Sequence, residues 1–467
     1  MSDFLTTVRS LRQSGDLFDR GRSVFVARSP GRLDLMGGND DYTGGMVFEA
    51  TIREATWAAA QAREDRQVIL VNPQVAEHCW QPRVECSLDE LTDEAATRAI
   101  VNRSPGVRWT AYVLGVIYYL HRRATRRLTG GVTVYLESDV PLGKGVSSSA
   151  AVEVAVMKAV ASGYGAPLSG VELAEACQWV ENVIAESACG VMDQIAVVLG
   201  DEGHVLPLVC QPCLPQPLVR LSQELACWAI DSGVTHAVTG IEYEAARAGA
   251  FMGYKLMCDS LGLAVREDRA SAIPRFTDER YGGYLANVSP SEFRERFERL
   301  LPERMTGAEF LAKAGAHVDP FTPARPEASY AVRACARYAV EENHRVRLFA
   351  ALAAGAIGDH LEPAARLMGE LIYQSHHGYT ETELGNAATD RLVSLAREEG
   401  PERGIYGAKV TGGGAGGTVA VLGAVTAEPA FARIVERYAE ETGRAPYVFR
   451  GSSPGADRFG VVEVSPG

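Results

Sequence analysis

The stretch PLGKGVSSSAA, at residues 141–151, decides how this sequence is interpreted. Gly143 and Gly145 let the backbone approach a ligand closely, because glycine has no β-carbon. The small residues at 147–162 predict a helix whose first turn presents unpaired N–H groups and the positive end of its dipole to an anion. Hydroxyls at the start of that helix can bind phosphate or coordinate Mg²⁺. The stretch predicts a phosphate-binding loop, and a serine cap on an ordinary helix is the alternative.

A second stretch, SPGRLDLMGGNDDYTGG at residues 29–45, lies between strands predicted at 23–28 and 46–52. It joins one cation, Arg32, to a cluster of hydrogen-bonding side chains. Such clusters suit carbohydrate hydroxyls, which donate and accept at fixed angles. The alternative is a solvated turn in which the polar residues and glycines only serve backbone geometry.

A third stretch, KVTGGGAGGTV at residues 409–419, holds five glycines within six positions. This density predicts a loop between two strands in which the backbone itself makes the contacts. A flexible hinge is the alternative interpretation.

Composition excludes several classes of protein. With 46% hydrophobic and 22% charged residues, the 467-residue chain is typical of globular proteins and long enough for two or three domains. Its net charge of −13 argues against a nucleic-acid or anionic-membrane surface. No apolar run approaches the ~18 residues of a spanning helix, and the first 22 residues do not resemble a signal peptide. The nine scattered cysteines indicate reduced thiols of a cytoplasmic protein.

The order of predicted elements favours an α+β protein, because strands and helices do not alternate regularly. We divide the chain at 205/206. The second half opens on a buried strand at 225–231, and a more polar, proline-containing insertion covers about 262–330.

Together and in this order, the three stretches resemble the motifs of the GHMP kinase superfamily, and of its galactokinase branch in particular. Residues 141–151 are similar to PxGxGLSSSAA, and residues 409–417 are similar to KxTGGGxGG. Residues 30–45 are similar to the galactokinase signature PGRVNLIGEHTDYNGG, with Gly38 at the position of its Glu and Asn39 at the position of its His. Residues 177–194 also resemble a galactokinase stretch, CQxxEHxxxGxPCGxMDQ. The P-loop pattern GxxxxGKS/T and the HRD and DFG motifs of protein kinases are absent from the sequence.

The resemblance implies a two-domain GHMP kinase fold. Its N-terminal domain, 1–205, is expected to contain a mixed sheet. Its C-terminal domain, 206–467, is expected to be an α/β sandwich, with the active site between the two domains.

The resemblance also implies the roles of individual residues. Asp193 is expected to be the general base, with Arg32 beside it. Glu181 and a loop hydroxyl, that of Ser147 or Ser148, are expected to hold Mg²⁺. The expected sugar contacts are Gly38, Asn39, Asp41, Gly190 and Tyr243. The expected ATP-binding residues are Gly143, Gly145, Ser147, Ser148, Ser149, Ala150, Gly413 and Gly414. Without the resemblance, a helix cap or ion pair would explain Asp193, and an exposed helix face would explain Glu181.

A closer similarity is to the kinase region of plant L-arabinokinases, carried by LVCQP at 208–212, GAFMG at 249–253, SYAVR at 329–333 and RGSSPGA at 450–456. In galactokinases the signature Glu faces the hydroxymethyl end of galactose, which L-arabinopyranose lacks. Gly38 is therefore the residue expected of a kinase that forms L-arabinose 1-phosphate. It would also leave room for a uronic acid, or only serve the turn. Two further hypotheses are a galactokinase proper and a non-catalytic sugar sensor. The implied partners are a sugar and ATP, with no nucleic acid and no membrane, in a monomer or homodimer.

Overall fold

The computed structural model describes residues 2–235, 241–268 and 274–466. Within these ranges the strands are β1 (Val24–Met36), β2 (Met46–Ala62), β3 (Gln67–Val71), β4 (Arg83–Ser87), β5 (Val132–Ser138), β6 (His204–Val209), β7 (Leu214–Pro215), β8 (Val219–Arg220), β9 (Leu225–Asp231), β10 (Arg266–Asp268), β11 (Arg275–Thr277), β12 (Met305–Thr306), β13 (Ser329–Tyr330), β14 (Ile405–Val410), β15 (Thr418–Ala424), β16 (Val448–Arg450) and β17 (Val461–Val464).

The helices of the same ranges are α1 (Ser2–Ser14), α2 (Glu94–Val101), α3 (Ala111–Arg122), α4 (Ser148–Gly163), α5 (Gly170–Val183), α6 (Met192–Leu199), α7 (Ile241–Ser260), α8 (Pro290–Glu292), α9 (Gly307–Ala314), α10 (Val332–Gly355), α11 (Leu361–Glu381), α12 (Ala387–Glu399), α13 (Glu428–Thr442) and α14 (Ala456–Phe459). None of these helices is long and apolar enough to cross a membrane.

The larger sheet has the strand order β17-β1-β2-β5-β3-β4, and β6 pairs with β2 and carries β7 and β8. It is mixed, because β3 and β5 are parallel and the other pairs are antiparallel. Helix α4 packs against β1 and β2. Its buried face consists largely of alanine and valine, so the helix can lie close to the sheet.

The smaller sheet has the order β14-β15-β9-β16 and is antiparallel throughout. A separate core joins it to α12 and α13. Helices α7 and α10 pack together with the short elements of the segment 262–330 in a further core. The α+β class predicted from the sequence is confirmed. The division at 205/206 stays a prediction, and β6, β7, β8 and β17 all belong to the larger sheet.

Three elements extend well beyond their predicted limits. Strand β2 does not end at 52 but continues to Ala62. Strand β1 does not end at 28 but continues through the signature to Met36. Irregularities in its pairing with β2 between Pro30 and Arg32, and between Asp34 and Met36, accommodate the residues that suggested a turn. The sequence predicts a helix over 361–375, but helix α11 continues to Glu381, which brings Tyr379 under the loops of the site. In contrast, the sequence predicts an amphipathic helix over residues 1–22, but helix α1 ends at Ser14.

Candidate active site

A cavity of about 70 Å³ lies where the three sequence motifs meet, and we call it the central cavity. The sequence-predicted residues that line it are Arg32, Asn39, Asp41, Gly143, Gly145, Ser147, Ser148, Ser149, Glu181, Gly190, Asp193, Tyr243 and Gly413. Gly38, Ala150 and Gly414 do not line it. Ala150 is fully buried in the core beneath α4, and Gly414 packs against Tyr379 and Leu384.

Arg32 and Asp193 form the polar centre of this cavity. The Nε and Nη2 groups of Arg32 donate to Oδ1 of Asp193, with N–O distances of 2.9 and 2.6 Å. Only 3% of the Arg32 side chain is exposed, against 21% for Asp193, so the carboxylate is the partner that a ligand can reach. Asp193 lies in the first turn of α6, and Arg32 lies within β1.

Further carboxylates hold the charge of Arg32. Burial alone would lower the pKa of Arg32, but the negative charges of Asp193, Glu49 and Asp34 outweigh burial and raise it. Glu49 lies on β2 at 3.4 Å from the Arg32 guanidinium. The Nη1 group of Arg32 also donates to the carbonyl of Gly145, at 2.6 Å, which ties the cation to the phosphate-binding loop. The guanidinium is therefore permanently charged and fixed in orientation.

Ser147 and Asn39, which both line the central cavity, share two unusual features. Both are non-glycine residues in the left-handed region, with φ angles of 60° and 63°. The Oγ of Ser147 and the Oδ1 of Asn39 are buried, and neither has a hydrogen-bond partner among the described residues. Backbone strain and unpaired buried oxygens together are typical of ligand-binding positions.

Glu181, on α5, contributes another carboxylate to the central cavity. Burial raises the pKa of Glu181 to about 7, and the negative charge of Asp193 adds to the increase. The side-chain amide of Gln194 donates to Glu181 at 2.6 Å and to the buried Glu153 at 3.4 Å. Sequence reasoning missed Gln194 and Glu153 as neighbours of the site. The Glu153 position on a predicted apolar helix was the available signal, since carboxylates are rarely buried without a partner.

The oxygen atoms of Glu181 and Ser147 fit a Mg²⁺ ion, which prefers hard oxygen ligands and keeps positions for phosphate and water. The unpaired Oγ of Ser147 is the observation that supports this fit. No cluster of three or more His, Cys, Asp or Glu residues that could hold a metal occurs within the described ranges. Two protein ligands are nevertheless sufficient for Mg²⁺ when a nucleotide supplies the others.

Asp41 and Gly190 lie against each other at the other end of the cavity. Any β-carbon on Gly190 would collide with the Asp41 carboxylate, so glycine is the residue that allows this approach. Burial raises the pKa of Asp41 to about 6, with a further contribution from the charge of Asp193. Arg247 opposes the increase. Tyr243, at the start of α7, completes this end.

Gly38 is placed differently from its expected role. A β-carbon at this position would point away from the central cavity and collide with the Tyr379 hydroxyl and the Asp34 carboxylate. The carbonyl of Gly38 accepts a hydrogen bond of 2.7 Å from Tyr338. Tyr379 donates to the carbonyl of Gly412 at 2.6 Å, and Asp34 forms a fully buried ion pair with Lys409 at 2.5 Å. The second and third motifs therefore share one buried polar network.

A larger cavity of about 410 Å³ opens on the other side of the phosphate-binding loop and shares Gly143, Ser148 and Ser149 with the central cavity. Its walls carry several aromatic rings, His78, Trp80, Trp109 and Tyr112. This size and composition suit a planar heterocyclic base. None of these four residues was assigned to the site from the sequence, and His78 and Trp80 lie in a connection without a motif.

Comparison with protein families gives three matches along the chain. Residues 16–62 match the galactokinase galactose-binding signature, residues 111–201 the GHMP kinases N terminal domain, and residues 350–440 the GHMP kinases C terminal family.

Curated relatives cover nearly all of the chain. The L-arabinokinase of Arabidopsis thaliana is 36% identical over 98% of this chain and 48% of its own length, so the chain spans about half of that protein. The galactokinase of Chloroflexus aurantiacus is 31% identical, with 90% of this chain and 89% of that enzyme covered. Among solved structures, Lactococcus lactis galactokinase complexed with galactose shares the fold, with a TM-score of 0.74 at 23% identity, covering 98% of this chain and 99% of that one.

The fold and the family matches define the protein as a GHMP kinase. Within that superfamily it belongs to the galactokinase family, because the similarity to a galactokinase extends over most of both chains.

Proposed function

We propose that the protein is an ATP-dependent sugar 1-kinase whose substrate is L-arabinose. The observation that carries the proposal is the Arg32–Asp193 pair, which lies in one small cavity with Glu181 and the phosphate-binding loop. Phosphoryl transfer needs an oriented hydroxyl nucleophile and positive charge around the transferred group, and this arrangement offers both.

Asp193 accepts the proton of the anomeric hydroxyl as that oxygen attacks the γ-phosphorus of ATP. Arg32 orients Asp193 through two hydrogen bonds, and it stabilises negative charge on the attacking oxygen. The new bond joins the sugar oxygen to phosphorus, and the bond to the β,γ-bridging oxygen breaks, which releases ADP.

The nucleotide binds between the two Gly-rich loops. Ser147, Ser148 and the N-terminus of α4 bind the phosphates, with Gly413 opposite. The aromatic cavity beside Trp80 and Trp109 takes the base. Mg²⁺ held by Glu181 and Ser147 would neutralise the phosphate charge as the transfer proceeds.

The sugar side comprises Asn39, Asp41, Gly190 and Tyr243. L-Arabinose is favoured over galactose by the similarity to the Arabidopsis L-arabinokinase and by the absence of a carboxylate at Gly38. A galactose-configured uronic acid is the second candidate, since Gly38 carries no negative charge to repel it.

We also propose that the protein acts in the cytoplasm. All nine cysteines of the sequence are free thiols, which supports action in the cytoplasm. We propose a monomer or homodimer that binds only small molecules.

The proposal is tested by incubating the protein with Mg²⁺-ATP and a panel of L-arabinose, D-galactose and D-galacturonate. Phosphorus NMR of the products should show an anomeric phosphate monoester. ADP formation without a phosphorylated sugar, or a phosphate on another hydroxyl, would refute a sugar 1-kinase. Asp193→Asn is the matched control for contaminating kinases.

A further inference from the structure

A second cavity of about 170 Å³ adjoins the central cavity, and we call it the adjoining cavity. Asp41, Cys189 and Gly190 line both. An engineered protein cavity of about 150 Å³ holds one benzene ring, so the adjoining cavity has space for roughly one ring. Much of its outer wall comes from two parts of the segment 262–330, at residues 274–284 and 318–321.

The adjoining cavity has aromatic walls. Five rings face it, those of Tyr42, Phe251, Phe276, Tyr284 and Phe321. Rings of this kind pack well against the C–H faces of a pyranose, while polar groups between them bind its hydroxyls. The amide of Gln178 and the carboxylate of Asp41 are polar groups of this cavity.

The charges of the adjoining cavity argue against an anionic ligand. Arg247 is bound by Asp319 through two hydrogen bonds of 2.9 Å, and both side chains are almost fully buried. Arg275 is paired with Glu175 at 3.3 Å. Each of the two arginines is neutralised by its acidic partner, and Asp41 adds a further acidic group. The cavity therefore has no net positive charge, so a phosphate or carboxylate would not be stabilised there.

Arg247 nevertheless retains one free donor. Its Nη1 group is buried and has no hydrogen-bond acceptor among the described residues. A buried donor without an acceptor is unfavourable, so a hydroxyl oxygen from a bound molecule would stabilise it. A neutral polyol therefore satisfies the cavity better than either an ion or a purely apolar molecule.

We propose that the adjoining cavity binds a second, neutral sugar unit, so that the enzyme phosphorylates the reducing end of short oligosaccharides as well as free monosaccharides. This inference rests on the proposed function. The anomeric hydroxyl of the reducing unit lies at Asp193. The opposite side of the same sugar ring reaches Asp41, which lines both cavities. The second unit continues past Gly190 into the space walled by the segment 262–330. The transfer step itself is unchanged.

The test uses reducing disaccharides whose reducing unit is the best monosaccharide substrate. The second unit is attached to the 3- or 4-hydroxyl of that reducing unit. Mass spectrometry should detect a disaccharide 1-phosphate for at least one linkage, with kcat/KM within about tenfold of the monosaccharide value. Phe321→Ala should lower the ratio of disaccharide to monosaccharide kcat/KM about tenfold, because a wall of the second subsite is lost. The matched control is Phe459→Ala, another half-buried phenylalanine, which packs on Trp57 away from both cavities.

Three outcomes would overturn the inference. The first is that every disaccharide fails as substrate and as inhibitor while the monosaccharide is phosphorylated, which leaves the proposed function intact. The second is that Phe321→Ala and Phe459→Ala change the ratio equally. The third is that no monosaccharide is phosphorylated either, in which case the proposed function fails and this inference with it.

Discussion

The hydroxyl of Tyr379 occupies the place that a β-carbon on Gly38 would need. From there it donates to the carbonyl of Gly412 and lies 3.5 Å from the carboxylate of Asp34. Tyr379 of helix α11 thus fills the space beside Gly38, which the sequence motif alone would suggest to be free. The glycine at 38 is consequently a requirement of packing between the sugar-signature loop and the Gly-rich loop.

We therefore expect Gly38→Glu to damage the protein rather than convert it to a galactokinase. The new side chain must displace Tyr379 or the Asp34–Lys409 ion pair, and overpacking of this kind costs about 1–3 kcal/mol of stability. Thermal unfolding should show a lower Tm, and steady-state assays should show lower kcat/KM on both sugars. Adding Tyr379→Phe should restore part of the Tm. A stable Gly38→Glu variant with improved use of galactose would contradict the packing argument.

Asp193→Asn should abolish sugar phosphorylation, with a loss of kcat of about 10²–10⁴-fold, because an amide cannot accept the anomeric proton. Arg32 still has Glu49 and the Gly145 carbonyl as partners, so the fold and nucleotide binding should persist. Circular dichroism and titration with an ATP analogue check both. Turnover close to that of the unaltered protein would exclude Asp193 as the base.

Ser147 and Ser148 can be distinguished as ligands of Mg²⁺-ATP. The unpaired Oγ of Ser147 predicts that its removal raises KM for Mg²⁺-ATP more than Ser148→Ala does. Ser147→Gly is the better variant, because glycine tolerates the φ of 60° at this position. Glu181→Ala and Ser148→Ala should also affect nucleotide use more than sugar affinity. Equal losses in nucleotide and sugar titrations would contradict this division of the site.

Asp41 should impose an acidic limit on sugar binding. Since burial raises its pKa to about 6, the free enzyme carries the ionised, hydrogen-bond-accepting form only above that pH. The kcat/KM for the sugar should therefore decrease as the pH falls below about 6, approaching tenfold per pH unit. Asp41→Asn should have a lower kcat/KM throughout and should lack this limb of the profile. An identical limb in the variant would assign the titration to another group.

Local sequence patterns predicted much of the fold. The strand at Leu225–Asp231 and the helix after Ser147 have the limits, or nearly the limits, that the sequence indicated. Most of the residues assigned to the site by their motifs line one cavity, because each motif sits on a rigid element beside the others. Their roles stay predictions.

Contacts between distant parts of the chain were beyond such patterns. Tyr379 contacts Gly38 only because α11 packs beneath β1, and no sequence motif predicts that contact. Asp319 forms an ion pair with Arg247, although Asp319 belongs to the segment 262–330, which the sequence indicated only as an insertion. The left-handed φ of Ser147 and Asn39 is likewise set by tertiary packing, since neither residue type demands it.

The central claim is that this protein is a sugar 1-kinase adapted to a pentose, and steady-state kinetics on L-arabinose and D-galactose at saturating Mg²⁺-ATP test it most directly. We predict a higher kcat/KM for L-arabinose, by about tenfold or more, because this chain is similar to an L-arabinokinase over 98% of its length and its signature lacks the carboxylate that faces the hydroxymethyl group in galactokinases. A clear preference for D-galactose would contradict the assignment.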